Sequence, residues 1–198
     1  MINKLKIQRL VGIATLAAFV VVLQLISNYI QFGPVSITLA LIPIVIGAIV
    51  YGPSAGFILG VVHGVIVTTA PATISLFMPY TVFGTIVVCL LKSGLAGLAS
   101  GYVFKLFSKK NINLAVILAS IVVPIVNTGL FSVACLTIFK DLIAGFAQDA
   151  NVISYLFLTF IGYNFLIEFF VNSVLSPVLI RIVRMYDVHK KFGSDVEF

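Results

Sequence analysis

Long apolar segments alternate with short polar connections along the whole chain. A helix needs about 20 apolar residues to cross the hydrocarbon core of a bilayer. The apolar segments run from about residue 8 to 29, 37 to 50, 53 to 69, 80 to 107, 112 to 138 and 152 to 183. The pattern therefore predicts one membrane domain, residues 1–198, folded as an all-α bundle of about six transmembrane helices.

Proline and glycine mark several of the predicted connections. Gly33-Pro34 ends the first segment. Tyr51-Gly52-Pro53 predicts a tight turn, with Pro53 in the first turn of the next helix. Pro124 lies inside the fifth segment and predicts a kink there. Residues 140–151 are predicted to be the longest connection between two helices.

The composition agrees with a membrane protein and excludes several activities. Hydrophobic residues make up 61% of the chain and charged residues 9%, whereas soluble domains carry about 25% charged residues. The sequence contains no phosphate-binding loop motif, no HExxH motif and no cysteine pair at metal-binding spacing. We therefore expect no enzymatic activity, metal or cofactor. We also expect the first segment to be retained rather than cleaved as a signal peptide.

The basic residues predict the orientation of the bundle. They form clusters before the first segment, between the fourth and fifth, and after the sixth. With six spans all three clusters lie on one side, which the positive-inside rule assigns to the cytoplasm together with both termini. This distribution explains the net charge of +6 without a nucleic-acid partner. The clusters consist of Lys4, Lys6 and Arg9; Lys105, Lys109 and Lys110; and Arg181, Arg184, Lys190 and Lys191.

Small residues at helical spacing predict close contacts between helices. Gly52, Gly56, Gly60 and Gly64 recur every four residues in the third segment, which leaves bare backbone along one stripe of a helix. Ala14-x-x-x-Ala18 is a weaker signal of the same kind in the first segment. That pair has two interpretations, packing inside the bundle or an interface with another membrane protein.

Polar side chains inside the apolar segments are the candidate functional groups, because a charge in the membrane is costly unless it is paired or faces a cavity. Lys92 and Glu168 either pair with each other or hold a ligand. His63 either bonds a neighbouring helix or contacts a ligand. Asn164 and Glu168 share one helix face with Asn172, since all three are spaced by four residues.

Further candidates lie near the predicted kink and the outer ends of the segments. Asn127 and Thr128 follow Pro124, where a bend frees backbone carbonyl groups. Asn28, Thr38 and Tyr80 lie at ends predicted to face outward. Together these groups predict a small-molecule pocket that opens to the outside.

Four stretches of the chain resemble the substrate-binding S components of energy-coupling factor (ECF) vitamin transporters. Ala14-x-x-x-Ala18 matches the motif through which those proteins dock on their coupling subunit. The resemblance also covers the turn between the second and third segments and the glycine pattern of the fourth. The matching stretches are Ile37-Thr-Leu-Ala-Leu-Ile-Pro43, Tyr51-Gly-Pro-Ser-Ala-Gly56 and Gly94-Leu-Ala-Gly97-Leu-Ala-Ser-Gly101.

The resemblance implies a binding subunit in the cell membrane that captures a B vitamin or its precursor from outside. It implies assembly with a membrane coupling subunit and two ATPase subunits, which hydrolyse ATP while the S component topples in the lipid bilayer. Ala14 and Ala18 would form the interface with the coupling subunit. The substrate-binding residues would be Asn127, Asn164, Lys92, His63, Glu168, Thr128, Tyr80, Thr38 and Asn28.

The segments that begin at Ser36 and at Pro124 are most similar to pantothenate-type members, and a hydroxylated anion suits hydroxyl and amide donors with one cation. The chain contains 0 Trp, which excludes a tryptophan-lined thiamin pocket. Hydroxymethylpyrimidine, folate and riboflavin stay open as substrates. Other open interpretations are a proton-coupled carrier with a His63–Glu168 relay, an intramembrane hydrolase, and a purely structural subunit.

Overall fold

The computed structural model describes residues 4–29, 31–32, 35–36, 38–148 and 151–192. These residues form helices, one short hairpin and the turns that connect them. The α-helices are α1 (Lys4–Ser27), α2 (Leu41–Val50), α3 (Pro53–Thr68), α4 (Val82–Phe107), α5 (Ile112–Thr137), α6 (Lys140–Ala147), α7 (Val152–Tyr155) and α8 (Gly162–Phe192). Two π-helical turns, Thr73–Phe77 and Leu156–Phe160, precede α4 and α8.

Two elements lie where the sequence predicted irregular connections. Strands β1 (Gln31–Phe32) and β2 (Val35–Ser36) pair antiparallel between α1 and α2. Helix α6 occupies most of the connection predicted at 140–151, and it buries Ile143 and Ala147 on one side. Both elements bring the chain back over the same end of the bundle.

Four of the described helices are long and apolar enough to cross a membrane: α1, α4, α5 and α8. Helices α2 and α3 have 10 and 16 residues. At 1.5 Å per residue they are about 15 and 24 Å long, less than the roughly 30 Å of a bilayer core. The count of six spans therefore stays a prediction. Pro124 lies inside α5, which is helical on both sides of it.

The glycine stripe of α3 packs directly on the backbone of α4. A Cβ atom at Gly60 would meet the Ser93 carbonyl oxygen, and one at Gly64 would lie 2.6 Å from the Cys89 carbonyl oxygen. Gly56 faces Gly97 in the same way. The two helices run antiparallel in backbone contact, which confirms the close packing predicted for Gly56, Gly60 and Gly64. The prediction was wrong for Gly52, which precedes α3 with a φ of 93° and where a Cβ atom would meet no heavy atom within 4 Å.

The predicted basic clusters lie at one end of the bundle. Arg9, near the start of α1, donates to the Tyr51 carbonyl oxygen at the α2–α3 turn. Arg184, near the end of α8, donates to Asn113 Oδ1 at the start of α5. Lys105 lies in the last turn of α4, which leads into α5. By the positive-inside rule this end is predicted to face the cytoplasm, and the hairpin and α6 are predicted to lie outside.

Candidate functional site

A small cavity lies at the end of the bundle opposite the basic clusters. The centre of a water-sized sphere can reach about 50 Å³ inside it. This space is enough for a few water molecules. Lys92 contributes the charge, and three threonines contribute hydroxyl groups. The walls come from the chain before α2, the end of α3, the π-helical turn, α4, α5 and the chain after α5. The lining includes Thr38, Thr73, Thr85, Lys92, Phe77, Phe131 and Phe139.

The Lys92 ammonium group lies over an aromatic ring instead of a carboxylate. Its Nζ atom is 4.6 Å from the centroid of the Phe131 ring. A cation at this distance is attracted by the negative face of the ring. Within the part of the chain that the structure describes, Lys92 forms no ion pair. The ammonium group of Lys92 can therefore still form an ion pair with an anionic ligand in the cavity.

Glu168 bonds Thr38 and not Lys92. It is 5% exposed, and its Oε1 atom accepts a hydrogen bond of 2.9 Å from the Thr38 N–H. Thr38 itself lines the cavity, whereas Glu168 is not among the lining residues. The carboxyl group thus lies behind the cavity wall, and it interacts with Lys92 electrostatically without contact.

His63 links three helices through a buried hydrogen-bond network. Its Nε2 atom is 2.9 Å from Gln24 Oε1 on α1, and its Nδ1 atom is 2.9 Å from Ser93 Oγ on α4. Gln24 Oε1 is an acceptor, so the neutral ring carries its proton on Nε2 and accepts from Ser93 at Nδ1. Gln24 Nε2 then donates to Asn28 Oδ1. Both ring nitrogens are engaged by the protein, so a ligand contact by His63 stays a prediction.

We expect the His63→Leu variant to be less stable than the wild type by about 1–3 kcal/mol, because the buried Gln24 Oε1 atom and the Ser93 hydroxyl lose their hydrogen bonds to the ring. The double variant Gln24→Leu/His63→Leu should lose less than the sum of the two single variants. Thermal unfolding of the purified protein in detergent measures all three. Strictly additive losses would contradict a coupled network.

The remaining polar candidates are distributed outside the Lys92 cavity. Asn127 is 3% exposed, and its Oδ1 atom has no hydrogen-bond partner among the described residues. Thr128 lines a second, largely apolar cavity of about 400 Å³ between α5 and the start of α8. That cavity opens past the exposed side chains of Ile125 and Leu166. Its position among lipid-facing residues makes it a weaker candidate for a polar ligand.

Tyr80 and Asn28 are engaged with neighbouring elements. The exposed Tyr80 hydroxyl donates to Asp141 Oδ2 at 3.2 Å and ties the chain before α4 to α6. Asn28 accepts from Gln24 and so belongs to the His63 network. The backbone of Asn164 is in α8, but its side chain lies outside the described residues. No hydrogen bond joins His63 to Glu168 in the described chain, so the relay of a proton-coupled carrier gains no support.

The predicted docking pair lies on an open face of α1. Ala14 and Ala18 are both exposed. They share one stripe of the helix with the exposed side chains of Ile7, Val11 and Val22. The opposite side of α1 carries the buried residues Val20, Gln24 and Ser27. An interface between Ala14 or Ala18 and another membrane protein is therefore sterically open.

The sequence analysis missed several residues that shape the cavity and its surroundings. Thr73, Phe77, Phe131 and Phe139 line the cavity, but phenylalanine and threonine are common in apolar segments and give no signal of their own. Gln24 and Ser93 were also missed. Gln24 could have been identified from the sequence, because it is a polar residue within the first apolar segment.

The fold and the cavity define a class: helical membrane proteins with an internal site for a small molecule. A comparison with protein families identifies the group within that class. The sequence profile described as "ECF transporter, substrate-specific component" matches residues 8–180. The chain belongs to this family. Comparison with curated protein sequences gave no match.

Membership of the family establishes the general role. The chain is a multi-pass protein of the cell membrane and the substrate-specific subunit of an ECF importer. Such subunits transport and do not catalyse a reaction. They take a small-molecule substrate and work with the other subunits of the ECF complex.

Proposed function

We propose that this subunit binds pantothenate from outside and delivers it inward together with a membrane coupling subunit and two ATPase subunits. The observation that carries the proposal is the Lys92 ammonium group, which lines a mostly apolar cavity beside three threonines and has no carboxylate partner in the described chain. Pantothenate is a flexible carboxylate with two hydroxyl groups and one amide. A lysine ammonium and threonine hydroxyls complement these groups.

The position of Glu168 supports the same proposal. Its carboxyl group is engaged by the Thr38 amide and does not compete for Lys92. Binding a carboxylate at Lys92 would replace a cation–π contact by a charge-assisted hydrogen bond, which is the stronger interaction at a desolvated site.

The cavity must widen to hold a vitamin. Its volume of about 50 Å³ is far below the roughly 300 Å³ or more of a typical ligand pocket. Movement of the π-helical turn Thr73–Phe77 or of the chain before α2 would enlarge it. In the proposed complex the further candidates for ligand contacts are Thr38, Asn28, Tyr80, Asn127, Thr128, Asn164 and His63. Glu168, which was also predicted as a contact, lies behind the wall that Thr38 forms.

We expect the Lys92→Met variant to bind pantothenate about 10- to 100-fold more weakly, because a charge-assisted hydrogen bond contributes about 1.5–3 kcal/mol. Methionine keeps the apolar stem and removes the charge. Lys105→Met is the matched control, since Lys105 lies at the other end of the same helix. Isothermal titration of the purified subunit measures the affinities.

A neutral analogue separates the role of the charge from that of shape. Pantothenol carries an alcohol in place of the carboxylate, so its affinity should change little between the wild type and Lys92→Met. A thermal-shift panel of B vitamins and precursors comes first and identifies the substrate without assumptions. Stabilisation by hydroxymethylpyrimidine, folate or riboflavin instead of pantothenate would contradict the proposed substrate and keep the family assignment.

A further inference from the structure

Two buried side chains hold the segment that leads from the β1–β2 hairpin into α2. The Thr38 N–H donates to Glu168 Oε1 at 2.9 Å, and the Leu39 N–H donates to Ser27 Oγ at 3.0 Å. Glu168 and Ser27 are 5% and 0% exposed. Both amides lie ahead of the first turn of α2, where no helical carbonyl oxygen is available to them. The two side chains supply the missing acceptors.

We propose that Glu168 is a positioning residue for ligand binding: through the Thr38 amide it fixes one wall of the Lys92 cavity and slows release of the ligand. Thr38 lines the cavity and Glu168 does not, so the effect of Glu168 reaches the ligand through Thr38. The identity of the ligand rests on the proposed function. The bond between Glu168 and Thr38 does not depend on it.

The location of this hydrogen bond allows it to affect the shape of the cavity. Thr38 follows directly after the hairpin that joins α1 to α2, whereas Glu168 is in α8, 130 residues further along the chain. One hydrogen bond thus connects the segment before α2 to α8, a helix that is distant in sequence and packs against α2. A bond from a buried carboxylate to a backbone amide is roughly twice as strong as a bond between neutral groups.

The same bond keeps the cation of the cavity available. A Glu168 carboxylate released from Thr38 would remain buried near Lys92 and would be drawn to the ammonium group. Lys92 now lies against the Phe131 ring with no ion pair in the described chain. Loss of the Thr38 contact is therefore expected to disturb both the wall and the cation of the site.

Amide hydrogen exchange tests the bond without any ligand. In the Glu168→Ala variant, exchange of the Thr38 amide should be about tenfold faster or more, because its acceptor is gone. In Glu168→Gln the side-chain carbonyl oxygen still accepts, so exchange should stay near that of the wild type. Ser173→Ala is the matched control in the same helix, since the Ser173 hydroxyl bonds only the Phe169 carbonyl oxygen of α8.

Ligand dissociation tests the consequence. With pantothenate bound to the purified subunit, the dissociation rate of Glu168→Ala should rise about tenfold or more, while the association rate changes less than about threefold. The dissociation rate of Glu168→Gln should be close to that of the wild type. A general loss of fold would instead lower the unfolding temperature of both variants and slow association as well.

The outcomes separate this inference from the proposed function. An unchanged exchange rate of the Thr38 amide in Glu168→Ala would contradict the hydrogen bond between Thr38 and Glu168. Faster exchange with an unchanged dissociation rate would overturn the positioning role. Failure of the wild type to bind pantothenate would overturn the substrate assignment alone, and dissociation is then measured with the vitamin that the thermal-shift panel identifies.

Discussion

Replacing Ala14 or Ala18 with tryptophan is expected to stop assembly of this subunit with its coupling subunit while leaving ligand binding intact. Both alanines are exposed on one stripe of α1, where small side chains let another helix approach closely. An indole ring forced into such an interface costs several kcal/mol, which corresponds to at least about a tenfold loss of complex. Co-purification of the chain with the coupling subunit and the two ATPase subunits measures it.

Phe19→Trp is the matched control for this experiment. Phe19 is also exposed on α1, but it lies about 100° around the helix from Ala18. It places the same ring outside the predicted interface, so the complex should form normally. Normal assembly of both alanine variants would show that the docking surface lies elsewhere. Loss of ligand binding in the free subunit would show that the substitutions damage the fold.

The Gly60→Leu variant is expected to yield no stably folded protein. A side chain at Gly60 would meet the Ser93 carbonyl oxygen and would lie 2.9 Å from Gly94 Cα, so the backbones of α3 and α4 would have to separate. Overpacking of this kind costs about 1–3 kcal/mol even for small additions. A leucine adds four carbon atoms against rigid backbone, and the loss is expected to exceed that range.

Gly145→Leu is the comparison for that variant, because a Cβ atom at Gly145 has no heavy atom within 4 Å. Replacing a helical glycine there should stabilise by up to about 1 kcal/mol or change little. Cys89 and Cys135 are buried, so their reaction with a thiol-specific dye on heating reports unfolding of either variant. Equal unfolding temperatures for the two variants would contradict the tight α3–α4 contact.

The sequence predicted the close contact of α3 but not its partner positions. Spacing by four places Gly56, Gly60 and Gly64 on one side of a helix whatever the rest of the chain does. The register against Ser93 and Gly97 was not predictable, because a shift by one turn presents a similar row of small residues. Long-range packing of both helices selects the observed register.

The short elements escaped prediction for a different reason. Strands of two residues, such as Gln31–Phe32, contain no measurable alternation. Helix α6 offers Ile143 and Ala147 as its buried residues, and two positions in eight do not define a periodicity. The buried residues of α6 pack on neighbouring parts of the chain, and the sequence of the helix does not contain those contacts.

Some residues of the candidate site could be predicted, because a charged side chain is unusual within an apolar segment. Lys92 and Glu168 are charges within apolar segments, and the structure brings Lys92 to a cavity and Glu168 to the Thr38 amide behind it. The direct pairing considered for Lys92 and Glu168 does not occur. Which acceptor or donor a buried charge finds depends on three-dimensional contacts that spacing along a single helix does not contain.

The row of glycines also determines which parts of the subunit can move. Helices α3 and α4 touch backbone to backbone from Gly56 to Gly64, so neither can slide or tilt without the other. We expect the two helices to move as one rigid unit, and Lys92 lies in this unit. Space for an incoming molecule must then be created by the facing parts, the chain before α2 and the π-helical turn. In the toppling that the family resemblance implies, α3 and α4 would carry Lys92 with its geometry unchanged, and release of the ligand would depend on movement of the opposite wall.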